Sequence, residues 1–405
     1  MTPFRPGTLI ALLNSRKPRA VSSADRWVRL TAALARTAAS SDAILVAGIG
    51  CLHHDVALRA ALDAGGRALL ALGGSDGGAA TLARRYPEAA NHPRARVVAD
   101  IGARSSRAER DLCISELAET VVVAEARPGG VVETISRERL GCGRAVLVCP
   151  PDGTRSTAGN ARLLDAGAAP LPTAAWFEPA EARPSRAAPA GFPAAPAAVR
   201  DPAADRWDYL LHFTRGRPGE YPGESRWDYV GGLLRPDGPG VRDGFETLRR
   251  ILSDGLLRAG SRLIRGDHRV VCMTDLHPAE VARISCWARH LVRWSFEPYA
   301  VGLRRDAAMR LGIRPVAYGP ASLYASLPEP GRHLFQRHEP PRIDWSAERE
   351  WRAAGDMDLS AWRRDDALVV VPTEREARIV RAWTGFPVVA LEGWPGATAA
   401  ASPGS

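Results

Sequence analysis

The chain has 405 residues, 45% of them hydrophobic and 24% charged; this is the balance of a folded globular protein with room for two domains, and it excludes a fibrous or wholly disordered chain. No window approaches the roughly 18 apolar residues of a membrane span, and the apolar run in "MTPFRPGTLIALLNSRK" is too short for a secretory h-region, so a cytoplasmic protein without membrane contact is expected. The net charge of +9 and the pI of about 9.7 suit either a mildly basic solvated surface or an anionic partner; Lys17 is the sole lysine and no dense basic run marks a DNA-binding tail.

In chain order, "GTLIALLN" predicts a strand that delivers Asn14, Ser15 and Arg16 at its end. "RWVRLTAALARTA" places Trp27, Leu30, Ala33 and Leu34 at helical spacing, "AILVAGIG" predicts a strand ending at Gly48 and Gly50, and "HDVALRAALDAG" predicts a helix stopped by glycine. "RALLALGG", with Gly73 and Gly74 at its end, "ARVVADIG", "TVVVAEA" and "RAVLVCPP" add four further strands. Each is a continuous apolar run, the pattern of strands covered on both faces, so a doubly wound parallel α/β sheet is expected. In such sheets ligands bind beyond the carboxyl ends of the strands. Glu125, closing "TVVVAE" just before Gly129 and Gly130, therefore predicts an anion-accepting corner. "GIGCLHH" lacks the third glycine of a dinucleotide fingerprint. His53 and His54 read either as a pair at a helix N-terminus or as ligand contacts, and Arg110 either as a surface helix residue or as part of the site. The six cysteines form no C-x-x-C pair; reduced structural thiols and no metal are expected.

The order of these segments resembles the Rossmann-like core of the DprA/Smf DNA-processing family, within the SLOG group of nucleotide- and DNA-sensing domains. The resemblance rests on Ser15 and Arg16; Gly48 with Ala61 and Leu62; Arg110; Val123, Glu125 and Ala126 with Gly129 and Gly130; Gly143, Arg144 and Val146; and Gly159, Asn160, Gly167 and Ala168. It spans most of residues 8–170. It departs from the family where Leu52, His53, His54 and Leu58 replace a G-I-D turn and a later histidine, and where Asp111 and Leu112 follow Arg110; no winged helix is recognisable. Taken with the strand ends at Gly50, Gly73 and Gly74, the resemblance implies a site for a nucleotide or single-stranded nucleic acid formed by those glycines and by Ser15, Arg16, Gly48, Arg110, Glu125, Gly129 and Gly130, and it implies that a homodimer forms.

"PAEARPSRAAPAGFPAAPAAVRDPAAD" is saturated with alanine and proline, which predicts a linker over 178–205 between a domain at 1–177 and another at 206–394, with a disordered tail at 395–405. Tryptophan use divides the chain similarly, nine of the eleven following residue 200. "YLLHFT" predicts a strand with His212 and Thr214 on one face, and the Pro/Gly-rich stretch carrying Tyr221 and Glu224 predicts an ordered loop or a lid. "FETLRRILSDGLLRAG" predicts an amphipathic helix ended by Gly255; "HRVVCMTD", "EPYAVGLRR" and "IRPVAYG" predict three strands. "IDWSAEREWRAAGDMDL" reads as an extended segment sharing Glu348 and Glu350 on one face between Trp345 and Trp351, or as a solvated helix.

This half resembles abortive-infection proteins of the AbiGi type and, more remotely, the ADP-ribosyltransferase superfamily, which implies an α+β effector domain using NAD. On that resemblance His212 and Thr214 grip a ribose, Thr274, or alternatively Tyr299, supports the site, and Glu350 stabilises the cation formed as nicotinamide leaves. The joint expectation is a sensing domain coupled to an effector in phage defence or stress. The rival is a non-catalytic single-stranded DNA binding protein of DNA processing or recombination; a phosphoribohydrolase acting through Glu125 is a third reading.

Overall fold

The computed structural model describes residues 4–15, 21–23, 25–74, 78–102, 104–171, 207–217, 219–235, 242–261, 264–288 and 293–391. The chain divides into two compact units, one formed by Met1–Ser185 with Pro218–Val241 and the other by Arg186–Arg217 with Arg242–Ser405. The proposed linker at 178–205 and the tail at 395–405 lie outside the described residues.

The first unit alternates strands and helices: β1 (Leu9–Asn14), α1 (Arg26–Ser40), β2 (Ile44–Ala47), α2 (Leu52–Asp63), β3 (Arg67–Leu72), α3 (Ala79–Arg85), α4 (Pro87–Ala90), β4 (Ala95–Asp100), α5 (Arg107–Leu117), β5 (Thr120–Glu125), α6 (Val131–Gly141), β6 (Val146–Val148), α7 (Ala158–Asp165) and β7 (Ala169–Pro170). All seven strands are parallel, in the order β4-β3-β2-β1-β5-β6-β7. Alternation sends Ile10 and Leu12 into a core shared with α1 and α2, while Ala11 and Leu13 enter a second core with Ile114 of α5 and Val132 and Ile135 of α6. Burial on both faces is why the inner strands are uninterrupted apolar runs; β4, expected to be covered likewise, is instead an edge strand that leaves Val97 and Val98 exposed. Removing a buried side chain, as in Leu13→Ala, costs about 2–5 kcal/mol.

From β1 to β4 the chain steps outward on one side, then returns to lay β5 against the other side of β1. The connections leaving β1 and β5 thus run in opposite directions. That divergence opens a crevice beyond the carboxyl ends of these two strands.

After β8 (Tyr209–Phe213), which belongs to the second unit, the chain returns to the first unit for α8 (Arg226–Leu233). Trp227, Tyr229, Val230 and Leu233 of α8 enter the same core as α1 and α2. A boundary near residue 206 followed by one continuous second domain was the expectation; residues 218–241 instead group with the first unit, because an apolar helix face there completes the first core.

The second unit continues with α9 (Gly244–Asp254), β9 (Leu256–Leu257), β10 (Val270–Thr274), α10 (Pro278–Ile284), β11 (Trp287–Ala288), β12 (Arg293–Trp294), β13 (Ala300–Arg304), α11 (Arg305–Arg310), β14 (Arg314–Pro315) and β15 (Ala317–Gly319). It ends with α12 (Leu323–Ser326), β16 (Phe335–Arg337), β17 (Glu350–Ala354), β18 (Met357–Asp358), β19 (Ala367–Val371), α13 (Glu374–Val380) and β20 (Val388–Ala390). Its main sheet has the order β14-β17-β10-β8-β13-β19-β20, antiparallel except for β19 with β20. Gly255, at φ 64°, caps α9 in the left-handed conformation that its sequence anticipated. "IRPVAYG" does not form one strand: β14 joins the main sheet, whereas β15 pairs with β16. No described helix is long and apolar enough to cross a membrane.

Candidate functional site

The crevice between β1 and β5 holds a cavity of about 510 Å³, within the range of small-molecule sites. Its floor is made by strand ends and turns: Asn14 and Ser15 after β1, Gly50 after β2, and Arg127 and Gly130 after β5. Its rim comes from the first turns of helices: Cys51, Leu52 and His53 at α2, Arg107 and Ala108 at α5, Val131 and Val132 at α6. Val21 and Trp27 close one side.

The two corners at β1 and β5 are tied together. The Ser15 N–H donates to the Glu125 carbonyl at 2.8 Å, and the Arg127 N–H donates to Ser15 Oγ at 2.9 Å. Behind them Asn160, fully buried on α7, accepts from the Ala126 N–H at 2.6 Å and donates to the Ala124 and Cys149 carbonyls at 3.0 and 2.8 Å. That side chain bridges the ends of β5 and β6 and sets the path of the turn carrying Arg127. Gly159 beside it allows the approach, since a Cβ there would lie 2.5 Å from the Ala126 carbonyl oxygen.

Gly50 adopts φ 81°, and its N–H donates to both Asp55 Oδ1 and the Tyr86 hydroxyl at 3.1 Å. Burial, reinforced by the Asp55 charge, pushes the Tyr86 phenol well above its ordinary range. Neither α2, which starts after Cys51, nor α6, which starts after Gly130, has a side-chain cap, whereas Ser106 and Glu109 form a capping box on α5. The first N–H groups of α2 and α6 thus lack a capping side chain where they border the cavity, and the helix dipoles favour an anion there.

Beside α2 lies a buried polar network. Asp111 Oδ1 accepts from His54 Nε2 at 3.0 Å and from Arg110 Nη2 at 3.2 Å, and Arg110 also donates to the Ile49 carbonyl at 2.7 Å and approaches Cys51 Sγ at 2.9 Å. Burial works to raise the Asp111 carboxyl, but the His54 hydrogen bond and the nearby His54, His53 and Arg110 charges outweigh it and hold the group far below the usual carboxylate range. The donor atoms of His53, His54 and Asp111 lie within 4.8 Å of one another, a spacing open to a metal ion. The Arg110 guanidinium already occupies the Asp111 carboxylate, so this donor set suits an internal charge network better than a second cation.

Of the residues singled out in the sequence, Ser15, Gly50 and Gly130 line the cavity. Gly48 packs behind it, where a Cβ would come within 2.9 Å of the Arg110 side chain. Arg110 is fully buried and acts as a brace. Glu125 is buried at the end of β5 with its carboxylate 3.9 Å from Arg26, and Gly129 turns at φ 69° with its N–H donating to Glu133 at 2.7 Å. Gly73 and Gly74 meet Ile101 and Ser105 at the end of β3, away from β1 and β5. Arg16 lies outside the described residues. Sequence reasoning missed the cavity-lining roles of Arg107, Arg127 and Trp27; the basic residue between Glu125 and Gly129 was the available signal for Arg127.

In the second unit His212, Thr274 and Glu350 lie on the adjacent strands β8, β10 and β17, with Thr274 directly opposite Glu350. His212 Nδ1 donates to the Cys272 carbonyl at 2.8 Å, and burial lowers its pKa. The Thr274 hydroxyl donates to the Glu348 carbonyl at 2.6 Å, while Thr214 donates to the Gly244 carbonyl at 2.7 Å. The Tyr299 hydroxyl donates to Glu376 at 3.0 Å. Glu350 is gripped by the buried Arg352 through Nε and Nη2 at 2.9 and 2.8 Å. Glu348 sits in a short turn before β17, and Arg349, at φ 45°, breaks the alternation that an extended reading assumed. Burial and the charge of Glu350 nevertheless push the Glu348 carboxyl upward. The six cysteines form no disulfide.

No protein-family model matches the chain, and no curated protein does. Among solved structures, DNA processing protein A from Streptococcus pneumoniae is similar over 43% of this chain and 62% of its own, with 21% identity and a TM-score of 0.30. This chain thus matches less than two thirds of that protein's length. DNA processing protein A from Helicobacter pylori is similar over 41% of this chain and 75% of its own, at 19% identity and a TM-score of 0.32. The Moco carrier protein of Chlamydomonas reinhardtii is similar over 42% of this chain and 92% of its own, at 16% identity and a TM-score of 0.30.

Proposed function

We propose that the first unit binds the phosphate of a nucleotide or nucleic acid in the crevice between β1 and β5, as a sensing domain. One observation carries this reading: two helix N-termini without side-chain caps, at α2 and α6, border a single cavity together with Arg107 and Arg127. Backbone N–H groups and guanidinium forks are the donors that phosphate oxygens accept. Titration with inorganic phosphate, nucleoside monophosphates and a short single-stranded oligodeoxynucleotide tests it. Arg127→Glu should weaken phosphate binding by about tenfold or more. Unchanged binding by that variant would remove the crevice from consideration.

Salt separates the two ligand classes. A compact nucleotide loses affinity gently as salt rises. A single strand, the partner in the rival non-catalytic reading, gives a logarithmic slope of about −0.7 for each phosphate neutralised.

For the second unit the proposal is an NAD-using ADP-ribosyltransferase-like effector acting in phage defence or stress. Its support is the placement of His212, Thr274 and Glu350 on three adjacent strands with a second carboxyl, Glu348, beside them. In that chemistry the bond between ribose C1′ and the nicotinamide nitrogen breaks, nicotinamide leaves neutral, and a carboxylate stabilises the ribosyl cation until water or a target nucleophile takes it. Arg352 holds the Glu350 carboxylate in one orientation for that role. Association into a homodimer belongs to the same proposal.

A further inference from the structure

The corner of the crevice after β2 carries a buried negative charge. Asp55, on the first turn of α2 and 1% exposed, accepts the N–H of the cavity-lining Gly50 with Oδ1 at 3.1 Å. That bond helps to hold the Gly50 turn at φ 81°. It also puts a carboxylate one hydrogen bond behind the wall at which an anion would rest, where its charge opposes the attraction of the α2 dipole.

The second oxygen of Asp55 carries the compensation. Asp55 Oδ2 accepts from Arg226 Nη2 and Nε at 2.7 and 2.9 Å, and the Arg226 side chain is only 12% exposed. Two charge-assisted bonds therefore converge on that oxygen, largely out of water. Glu220, which Arg226 Nη1 reaches at 3.3 Å, has a second cation in Arg85 at 2.7 Å, so it does not claim the guanidinium for itself. Apolar packing fixes where the guanidinium stands: Trp227, Tyr229, Val230 and Leu233 seat α8 in the core shared with α1 and α2, and the Arg59 guanidinium lies 4.6 Å over the Trp227 ring. Arg226 itself lines no part of the cavity, whose lining residues all fall between Asn14 and Val132. The balancing charge comes from the stretch that the chain inserts between β8 and α9.

Resting on the phosphate-binding reading above, we infer that Arg226 is a positioning residue for the crevice: by neutralising Asp55 it lets the α2 corner accept an anion, so the site is incomplete without α8.

The experiment titrates the full chain with inorganic phosphate and compares Arg226→Gln, Arg226→Lys, Asp55→Asn and the double variant Asp55→Asn/Arg226→Gln, with a thermal melt of each. Arg226→Gln leaves the carboxylate uncompensated and should weaken phosphate binding about tenfold. Arg226→Lys keeps the charge and should lose less. Asp55→Asn retains an oxygen for the Gly50 N–H while removing the negative charge, so it should bind phosphate more tightly than the parent even though it melts lower. The double variant should return close to the parent's affinity. A residue that merely held the fold together would make affinity fall wherever the melting temperature falls, so Asp55→Asn separates the two roles by sign. Should Arg226→Gln fail to fold, Asp55→Asn and the double variant decide. Parent-like binding in Arg226→Gln, weaker binding in Asp55→Asn, or a double variant as weak as a charge-stranded one would overturn the inference and leave the phosphate corner standing. Absence of phosphate binding in the parent would instead bring down the crevice reading and this inference with it.

Discussion

Glu348 holds its proton more tightly than an ordinary glutamate because burial disfavours the anion and Glu350 adds like charge. An unfolded glutamate titrates near about 4.3. With the folded value raised, the stability tied to this proton is fully present below about pH 4.3 and is lost as pH rises through the folded value. Glu348→Gln removes that loss, so it should melt higher than the parent at neutral pH and alike near about pH 4. Thermal melts at the two conditions check this, and a variant less stable at neutral pH would contradict it. The pair of glutamates was visible in "AEREWR", but the left-handed Arg349 between them was not, since a positive φ in a non-glycine residue is set by its surroundings. Asn160 shows the same limit: its three hydrogen bonds join β5, β6 and α7, segments far apart in sequence.

Among elements, α8 is the one whose allegiance the chain order hides. Arg226 Nη2 and Nε donate to Asp55 Oδ2 at 2.7 and 2.9 Å, its Nη1 reaches Glu220 at 3.3 Å, and Glu220 also accepts from Arg85 at 2.7 Å. Asp55 is 1% exposed, and its other oxygen accepts the Gly50 N–H at the crevice. Arg226→Ala strands that carboxylate and should cost about 3–5 kcal/mol in a urea melt. Asp55→Asn combined with Arg226→Gln should recover much of it, because no buried charge remains. A loss below about 1 kcal/mol would mean that water replaces the guanidinium. Of the two elements flanking the crevice, α2 was legible in "HDVALRAALDAG" with its terminal glycine, whereas α6 was marked only by the Gly129–Gly130 turn that precedes it. Their missing caps show up only as an absence, and that absence gains meaning only once both helices border one cavity.

At the scale of the molecule, a sensor coupled to an effector makes a plain demand on chemistry. Nicotinamide release from NAD should rise when a nucleotide that fills the crevice is added to the full chain, and Glu350→Gln should suppress it by about 10²-fold or more. No release under any condition, or a Glu350→Gln variant indistinguishable from the parent, removes the effector reading and leaves a binding protein. The net charge of +9 does not arbitrate between these, because a diffuse field raises encounter with any anion.

Sequence alone determined the class of the first unit: continuous apolar runs separated by helical stretches allow little besides a parallel sheet covered on both faces, although the run at β4 turned out to lie at the exposed edge of that sheet. It also supplied the glycine and serine corners at the strand ends, because backbone turns announce themselves locally. Only tertiary structure decided which corners meet. The reversal of strand order at β1 and β5 gathers Ser15, Gly50 and Gly130 while leaving Gly73 and Gly74 aside. It also turns Arg110 inward as a brace. Hydrogen-bond satisfaction is a property of the packed chain, in which donors and acceptors from remote segments either find each other or do not, and no local pattern of residues encodes it.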